Sequence, residues 1–202
     1  MKHWLMVCLL VAATASAQPT RTILVFGDSI SAGYGLPVGK GWVALLRAKL
    51  EREGYGYRVV NASVSGETTA GGLDRLPRAL ALHRPRILIL ELGGNDGLRA
   101  LPVAPMRANL ERMVRLARAA GATVLLLGMR IPPNYGPEYA GAFQRAFTLI
   151  ARTDSLPFVP FLLQGIALRP ALMQADGLHP NVRGQPRLLA NVWPALQPLL
   201  GR

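Results

Sequence analysis

The stretch Ile87-Leu88-Ile89-Leu90-Glu91-Leu92, closed by Gly93-Gly94-Asn95-Asp96, decides how this chain is read. An apolar run of that length, without polar alternation and ending in a glycine pair, reads as a strand covered on both faces. Similar short runs lie at Thr22–Phe26 (Thr-Ile-Leu-Val-Phe), Arg58–Val60, Thr123–Leu127 and around Phe158–Phe161. Longer amphipathic stretches separate them. Gly41–Glu53 places Trp42, Leu45, Leu46 and Leu50 on one helical face, and further helices are expected near Met106–Ala120, near Ala140–Arg152 and from about Pro186 to Leu200 despite Pro194. Strands alternating with helices imply an α/β fold with a central parallel sheet and helices on both faces. Ligands in such sheets bind beyond the carboxyl ends of the strands, so the residues that follow strands matter most.

Composition sets the outer limits. A chain of 202 residues that is 50% hydrophobic and 17% charged can bury a full core and is not a disordered polymer. No repeat or linker divides it, and one domain is expected over residues 18–202. The first 17 residues read differently: Lys2, an apolar run from Trp4 to Ala13, then Ala15-Ser16-Ala17 as a small-x-small cleavage pattern. That is the pattern of a secretory signal peptide, and the run is too short for a bilayer span of roughly 20 residues. Its removal would take away Cys8, the one cysteine, and leave a periplasmic or secreted protein with no disulfide or thiolate. Bulky Val7 before Cys8 argues against a lipoprotein box. The net charge is +12, almost wholly from arginine, since only Lys2, Lys40 and Lys49 are lysines. That field favours anionic partners, including anionic lipid surfaces. The arginines are scattered and not interleaved with aromatics, so a nucleic-acid role has no support.

Three loops that follow strands carry polar groups: Gly27-Asp28-Ser29-Ile30-Ser31, Ser65-Gly66-Glu67-Thr68-Thr69 and Gly93-Gly94-Asn95-Asp96. A serine such as Ser29 becomes a nucleophile only beside a base, which in turn needs an orienting partner. His83 and His179 are the histidines outside the leader. His83 precedes the third strand and so sits at the amino edge of the sheet, away from Ser29. His179 lies in Asp176-Gly177-Leu178-His179-Pro180-Asn181, beyond the last strand, with Asp176 three residues earlier to receive its Nδ1–H. A developing oxyanion needs donors, which Ser29 N–H, Gly66 N–H and the Asn95 side-chain amide could supply. No metal or cofactor is called for. Leu98, Leu101 and Val103, with Ile131–Tyr135, could line an apolar groove for a substrate chain, and Leu98 and Tyr135 are its named contacts.

Each group has an ordinary explanation when taken alone. Ser29 could cap a helix, Gly66 and Gly94-Asn95 could be turns, and Asp176-Gly177 is a common turn pair. Asp28 competes with Asp176 for the role of orienting acid, but neighbours leaving a strand point opposite ways, so Asp28 more naturally braces the turn. Asp96 and Glu67 read as supports of their own loops. A phosphate site at Gly27–Ser31 lacks both a lysine and a glycine-rich loop. The conjunction of four stations in four loops favours acyl transfer over these separate readings.

The strings Gly-Asp-Ser at 27–29, Gly66, Gly-Gly-Asn-Asp at 93–96 and Asp-Gly-Leu-His-Pro at 176–180 resemble the four blocks of the GDSL/SGNH hydrolases. Phe-Gly-Asp-Ser-Ile-Ser-Ala-Gly-Tyr-Gly at 26–35, Glu-Leu-Gly-Gly-Asn-Asp-Gly-Leu-Arg at 91–99 and Pro-Asn-Tyr-Gly at 133–136 are most similar to the periplasmic multifunctional thioesterase I/protease I/lysophospholipase L1 (arylesterase) group. Ile30-Ser31 stands where many relatives carry leucine and serine. The resemblance implies a flavodoxin-like, three-layer α/β/α sandwich. It also implies hydrolysis of acyl esters, thioesters or lysophospholipids by Ser29, His179 and Asp176, with Ser29, Gly66 and Asn95 holding the oxyanion, without a cofactor and as a monomer. Two rivals remain at this point: a carbohydrate acetyl esterase with the same residues, and an inactive flavodoxin-like binding module.

Overall fold

A computed structural model describes residues 21–201; the expected leader, with Cys8, lies outside them. Five parallel strands form one sheet: β1 (Arg21–Gly27), β2 (Tyr57–Asn61), β3 (Ile87–Glu91), β4 (Thr123–Leu127) and β5 (Phe158–Val159), in the order β2-β1-β3-β4-β5. The apolar runs become strands because both of their faces are covered: Ile23 to Phe26 and Leu88 to Leu90 are fully buried. Seven helices connect them: α1 (Ser29–Ala32), α2 (Trp42–Arg52), α3 (Thr69–His83), α4 (Gly94–Leu98), α5 (Val103–Ala119), α6 (Pro137–Thr153) and α7 (Gln185–Leu196). Helices α3, α5 and α6 pack in succession, and α2 pairs with α7, so the sheet lies between two helical layers.

Helix α3 has no counterpart in the sequence reading. Gly71-Gly72 and Pro77 are helix breakers by propensity, yet all three lie inside it. Packing overrides propensity here: Leu76 and Leu80 are buried, and a Cβ at Gly72 would run into Leu92, so the missing side chain lets the helix close on the sheet. Pro77 is exposed, and the backbone bond it forgoes is the one to the carbonyl of Leu73. The last helix is shorter than expected: α7 tolerates Pro194 but gives way at Leu196 to a 3-10 turn over Gln197–Leu199 that contains Pro198. Leu98, Leu101 and Val103, expected to line a groove, are divided between the end of α4 at Leu98, a short connection, and the start of α5 at Val103.

The chain passes from β1 to β2 on one side, and β3 then joins β1 on the other. That reversal opens a crevice beyond the carboxyl ends of β1 and β3. The loops carrying Ser29 and Asn95 leave from these two strands.

Candidate active site

The turn after β1 is built around a buried glutamate. Gly27 pairs with Glu91 across the β1–β3 ladder, and a Cβ on residue 27 would collide with the Glu91 carboxylate and stand 2.9 Å from its carbonyl oxygen. Glycine there lets the Glu91 side chain reach over the strand end. Glu91 Oε2 accepts from Ser31 Oγ at 2.6 Å and from Asp28 N–H at 3.3 Å, fastening both ends of the turn. Asp28 caps α1, with Oδ1 accepting from Ile30 N–H at 3.0 Å. Ser29 is thus the first residue of a short helix, largely buried, and its own N–H has no earlier carbonyl in that helix to receive it.

Two carboxyls therefore sit beneath the turn that carries Ser29. Burial raises Asp28 to about 6, against hydrogen bonds from Ile30 and Asn95 that pull it down. Burial, and then the neighbouring Asp28 charge, pushes Glu91 well above the carboxylate range; Glu91 Oε1 has no hydrogen-bond partner among the described residues. Both groups favour the neutral acid when folded. A raised pKa gives stability that is full below the unfolded value near 4 and is lost as the pH rises through the folded value. Glu91→Gln, neutral at every pH, should therefore show a melting temperature relative to the parent that climbs from pH 5 to pH 8. A difference that is flat across that range would show that Glu91 does not titrate with folding.

His179 is held by a loop pinned at its base. Met173 and Pro180 form an antiparallel bridge, Gln174 N–H donates to His179 O at 2.7 Å, and Asn181 N–H donates to Leu172 O at 2.8 Å. Within the loop, Asp176 Oδ1 accepts from Leu178 N–H at 2.9 Å and from His179 N–H at 3.0 Å. Asp176 Oδ2 lies 2.6 Å from His179 Nδ1, and His179 Nε2 lies 2.8 Å from Ser29 Oγ. Partial burial raises Asp176, but the hydrogen bonds from His179 and Leu178 outweigh it and hold the carboxyl at about 2. An ionised Asp176 requires the proton on Nδ1, which leaves Nε2 free to accept from the Ser29 hydroxyl. The Tyr34 ring lies 4.8 Å from the imidazole, centroid to centroid, on its outer side.

The expected oxyanion donors surround Ser29 unevenly. Gly66 adopts a left-handed φ of 79°, which a side chain resists, and its N–H makes no hydrogen bond among the described residues. Asn95 is more committed: its Nδ2 donates to Glu67 O at 3.0 Å and to Asp28 Oδ2 at 3.2 Å. Both amide hydrogens are engaged, so giving one to a substrate means releasing the longer bond to Asp28. Gly94 makes that contact possible, since a Cβ there would stand 3.1 Å from Asp28 Oδ2.

The remaining groups find other tasks. Asp96 reaches beyond its own loop, accepting from Thr69 N–H at 2.9 Å and Thr69 Oγ1 at 2.6 Å at the start of α3. Glu67 pairs with Arg75, whose guanidinium stacks on Phe26. His83 ends α3 on the amino side of β3, away from Ser29. A groove of about 570 Å³ contains Ser29 and His179 in its lining, together with the apolar side chains of Leu98, Met129, Ile131, Leu163, Ala167 and Met173. Leu98 lines it, whereas Tyr135 donates from its hydroxyl to Leu98 O at 2.7 Å and so fixes the end of α4 from behind. Met129, Leu163 and Met173 carry no signal of this role in the sequence, where their apolar character is indistinguishable from core packing.

A model of the GDSL-like lipase/acylhydrolase family matches residues 25–187. The chain belongs to that family. As a GDSL-like acylhydrolase it is a carboxylic ester hydrolase. It is 53% identical over 193 residues to Esterase TesA of Pseudomonas aeruginosa, with 96% of each chain covered. It is 40% identical over 191 residues to the thioesterase 1/protease 1/lysophospholipase L1 of Escherichia coli K12, covering 95% of this chain and 90% of that one. Among solved structures, the psychrotrophic esterase EstA from Pseudoalteromonas, inhibited by monoethylphosphonate, superposes with a TM-score of 0.84 at 41% identity, covering 88% of this chain and 97% of that one. Homologues of this GDSL-like acylhydrolase thus bear esterase, arylesterase, thioesterase and lysophospholipase names.

Proposed function

We propose that the mature chain, residues 18–202, is an exported serine esterase that cleaves acyl esters and thioesters, lysophospholipids among them, through an acyl-enzyme. The observation that carries this reading is the unbroken relay from Ser29 Oγ to His179 Nε2 at 2.8 Å and from His179 Nδ1 to Asp176 Oδ2 at 2.6 Å. His179 takes the Ser29 proton as Oγ attacks the carbonyl carbon, and Asp176 stabilises the imidazolium. The oxyanion is received by Ser29 N–H, Gly66 N–H and Asn95. Protonated His179 then delivers its proton to the leaving alkoxide or thiolate, and water, activated by the same imidazole, releases the acid. The enzyme acts as a periplasmic or secreted monomer, and its charge draws it towards anionic lipid surfaces.

The groove separates this reading from a carbohydrate acetyl esterase. Its long apolar walls suit an alkyl chain, and each buried methylene contributes about 0.8 kcal/mol. Across p-nitrophenyl acetate to palmitate, kcat/KM should therefore rise about 10-fold or more from acetyl to medium chains, and Leu98→Ser should flatten that rise. A maximum confined to acetate would favour the sugar esterase. No turnover of any ester would leave an inactive binding module.

A further inference from the structure

Beside the catalytic groove lies a second hollow of about 440 Å³, lined by Arg169, Arg183 and Arg187 with no carboxylate among its lining residues. None of the three guanidiniums makes an ion pair or hydrogen bond among the described residues. Like charges gathered around one concavity repel, and a phosphate placed between them removes that repulsion and takes forked hydrogen bonds from arginine.

The two cavities adjoin along the chain. Leu168 and Met173 line the catalytic groove, while their neighbours Arg169 and Leu172 line the arginine hollow. At the groove's edge of this junction, Leu168 is 92% exposed and has a left-handed φ of 65°, a conformation that crowds a Cβ-bearing residue. Leu178 and Val182 are also exposed, at 42% and 44%. The scaffold beneath is firm: Asn191 Nδ2 donates to Leu162 O at 2.8 Å and Gln164 O at 2.9 Å, and Asn181 Nδ2 donates to Ala171 O at 3.1 Å and Met173 O at 3.0 Å.

We propose that this face docks on an anionic phospholipid surface, with Arg169, Arg183 and Arg187 taking lipid phosphates and Leu168 entering the acyl boundary. A soluble phosphate would use the arginines but leave a displayed leucine without a task. A lipid surface uses both, and it opens the groove directly onto acyl chains. The inference specifies the lipid contact proposed above and rests on the esterase reading only for the use made of the groove.

Co-sedimentation with phosphatidylglycerol and phosphatidylcholine vesicles tests it, using the full chain throughout so that residues 1–20 contribute equally to every variant. The parent should partition onto phosphatidylglycerol and be released as salt rises from 0.05 to 0.5 M. At about 5-fold per cation near the surface, Arg169→Gln/Arg183→Gln/Arg187→Gln should lower partitioning by about 100-fold while leaving hydrolysis of soluble p-nitrophenyl butyrate unchanged. Leu168→Asn, which tolerates the left-handed backbone, should lower partitioning by about 10-fold. Equal partitioning of the parent and the triple variant, or salt-insensitive binding, would overturn the docking face. So would saturable binding of glycerol 3-phosphate without any preference for anionic vesicles, which would assign the hollow to a soluble phosphate. Loss of ester hydrolysis in the parent, with vesicle binding intact, would instead strike the esterase reading alone.

Discussion

Ser29→Ala should lower kcat for a p-nitrophenyl ester by about 10⁴- to 10⁶-fold while the protein keeps its melting temperature within a few degrees. In the proposed mechanism this hydroxyl forms the acyl bond, and among the described residues Ser29 Oγ is the hydroxyl hydrogen-bonded to His179 Nε2; Ser31 Oγ is turned towards Glu91. His179→Ala should produce a loss of the same size, because the serine proton then has no acceptor at neutral pH. The two side chains act as one unit, so the double variant should be no slower than either single one. Steady-state kinetics on the three proteins distinguish the cases. Losses that multiply would mean that Ser29 and His179 serve separate steps, and a fully active His179→Ala would dismiss the relay. Residual activity of about 10³-fold over water is expected from the oxyanion donors and the groove.

The second large effect belongs to Asn95. Asn95→Ala should reduce kcat by about 10²- to 10³-fold and change KM little, because in the proposed mechanism the amide meets charge that exists only in the transition state. This residue also has structural bonds, to Glu67 O and Asp28, so the same substitution should cost about 1–2 kcal/mol of stability. The split between kcat and KM, measured well below the melting transition, separates the two roles. A KM that rises as far as kcat falls would make Asn95 a brace for its loop and leave the oxyanion to backbone N–H groups.

Much of the framework could be read from the chain because strands buried on both faces advertise themselves. Ile87–Leu90 has no polar residue to hide its character, and the expected fourth strand matches β4. The polar stations were legible for a different reason: few residue types can carry acyl transfer, and only one histidine beyond the sheet was available. What stayed hidden depended on contacts between distant segments. Helix α3 went unassigned, since Gly71, Gly72 and Pro77 disfavour a helix and the close approach that uses Gly72 is made by Leu92, twenty residues on. Glu91 lay unremarked within the apolar run 87–92, and only the pairing of Gly27 with it reveals the buried acid under the turn that carries Ser29. Asp96 seemed local, yet its partner Thr69 is 27 residues away. Tyr135 was expected to contact the substrate, and only the folded chain shows its hydroxyl donating to the Leu98 carbonyl.

The pairing of Ser29 with His179 joins points 150 residues apart, from the first crossover of the sheet to the loop after its last strand. As the polypeptide is made from its amino end, Ser29 emerges 150 residues before His179, so under the proposed mechanism the serine stays without its base until the segment carrying residue 179 has been made. A chain that stops short of that segment should then be unable to hydrolyse an ester.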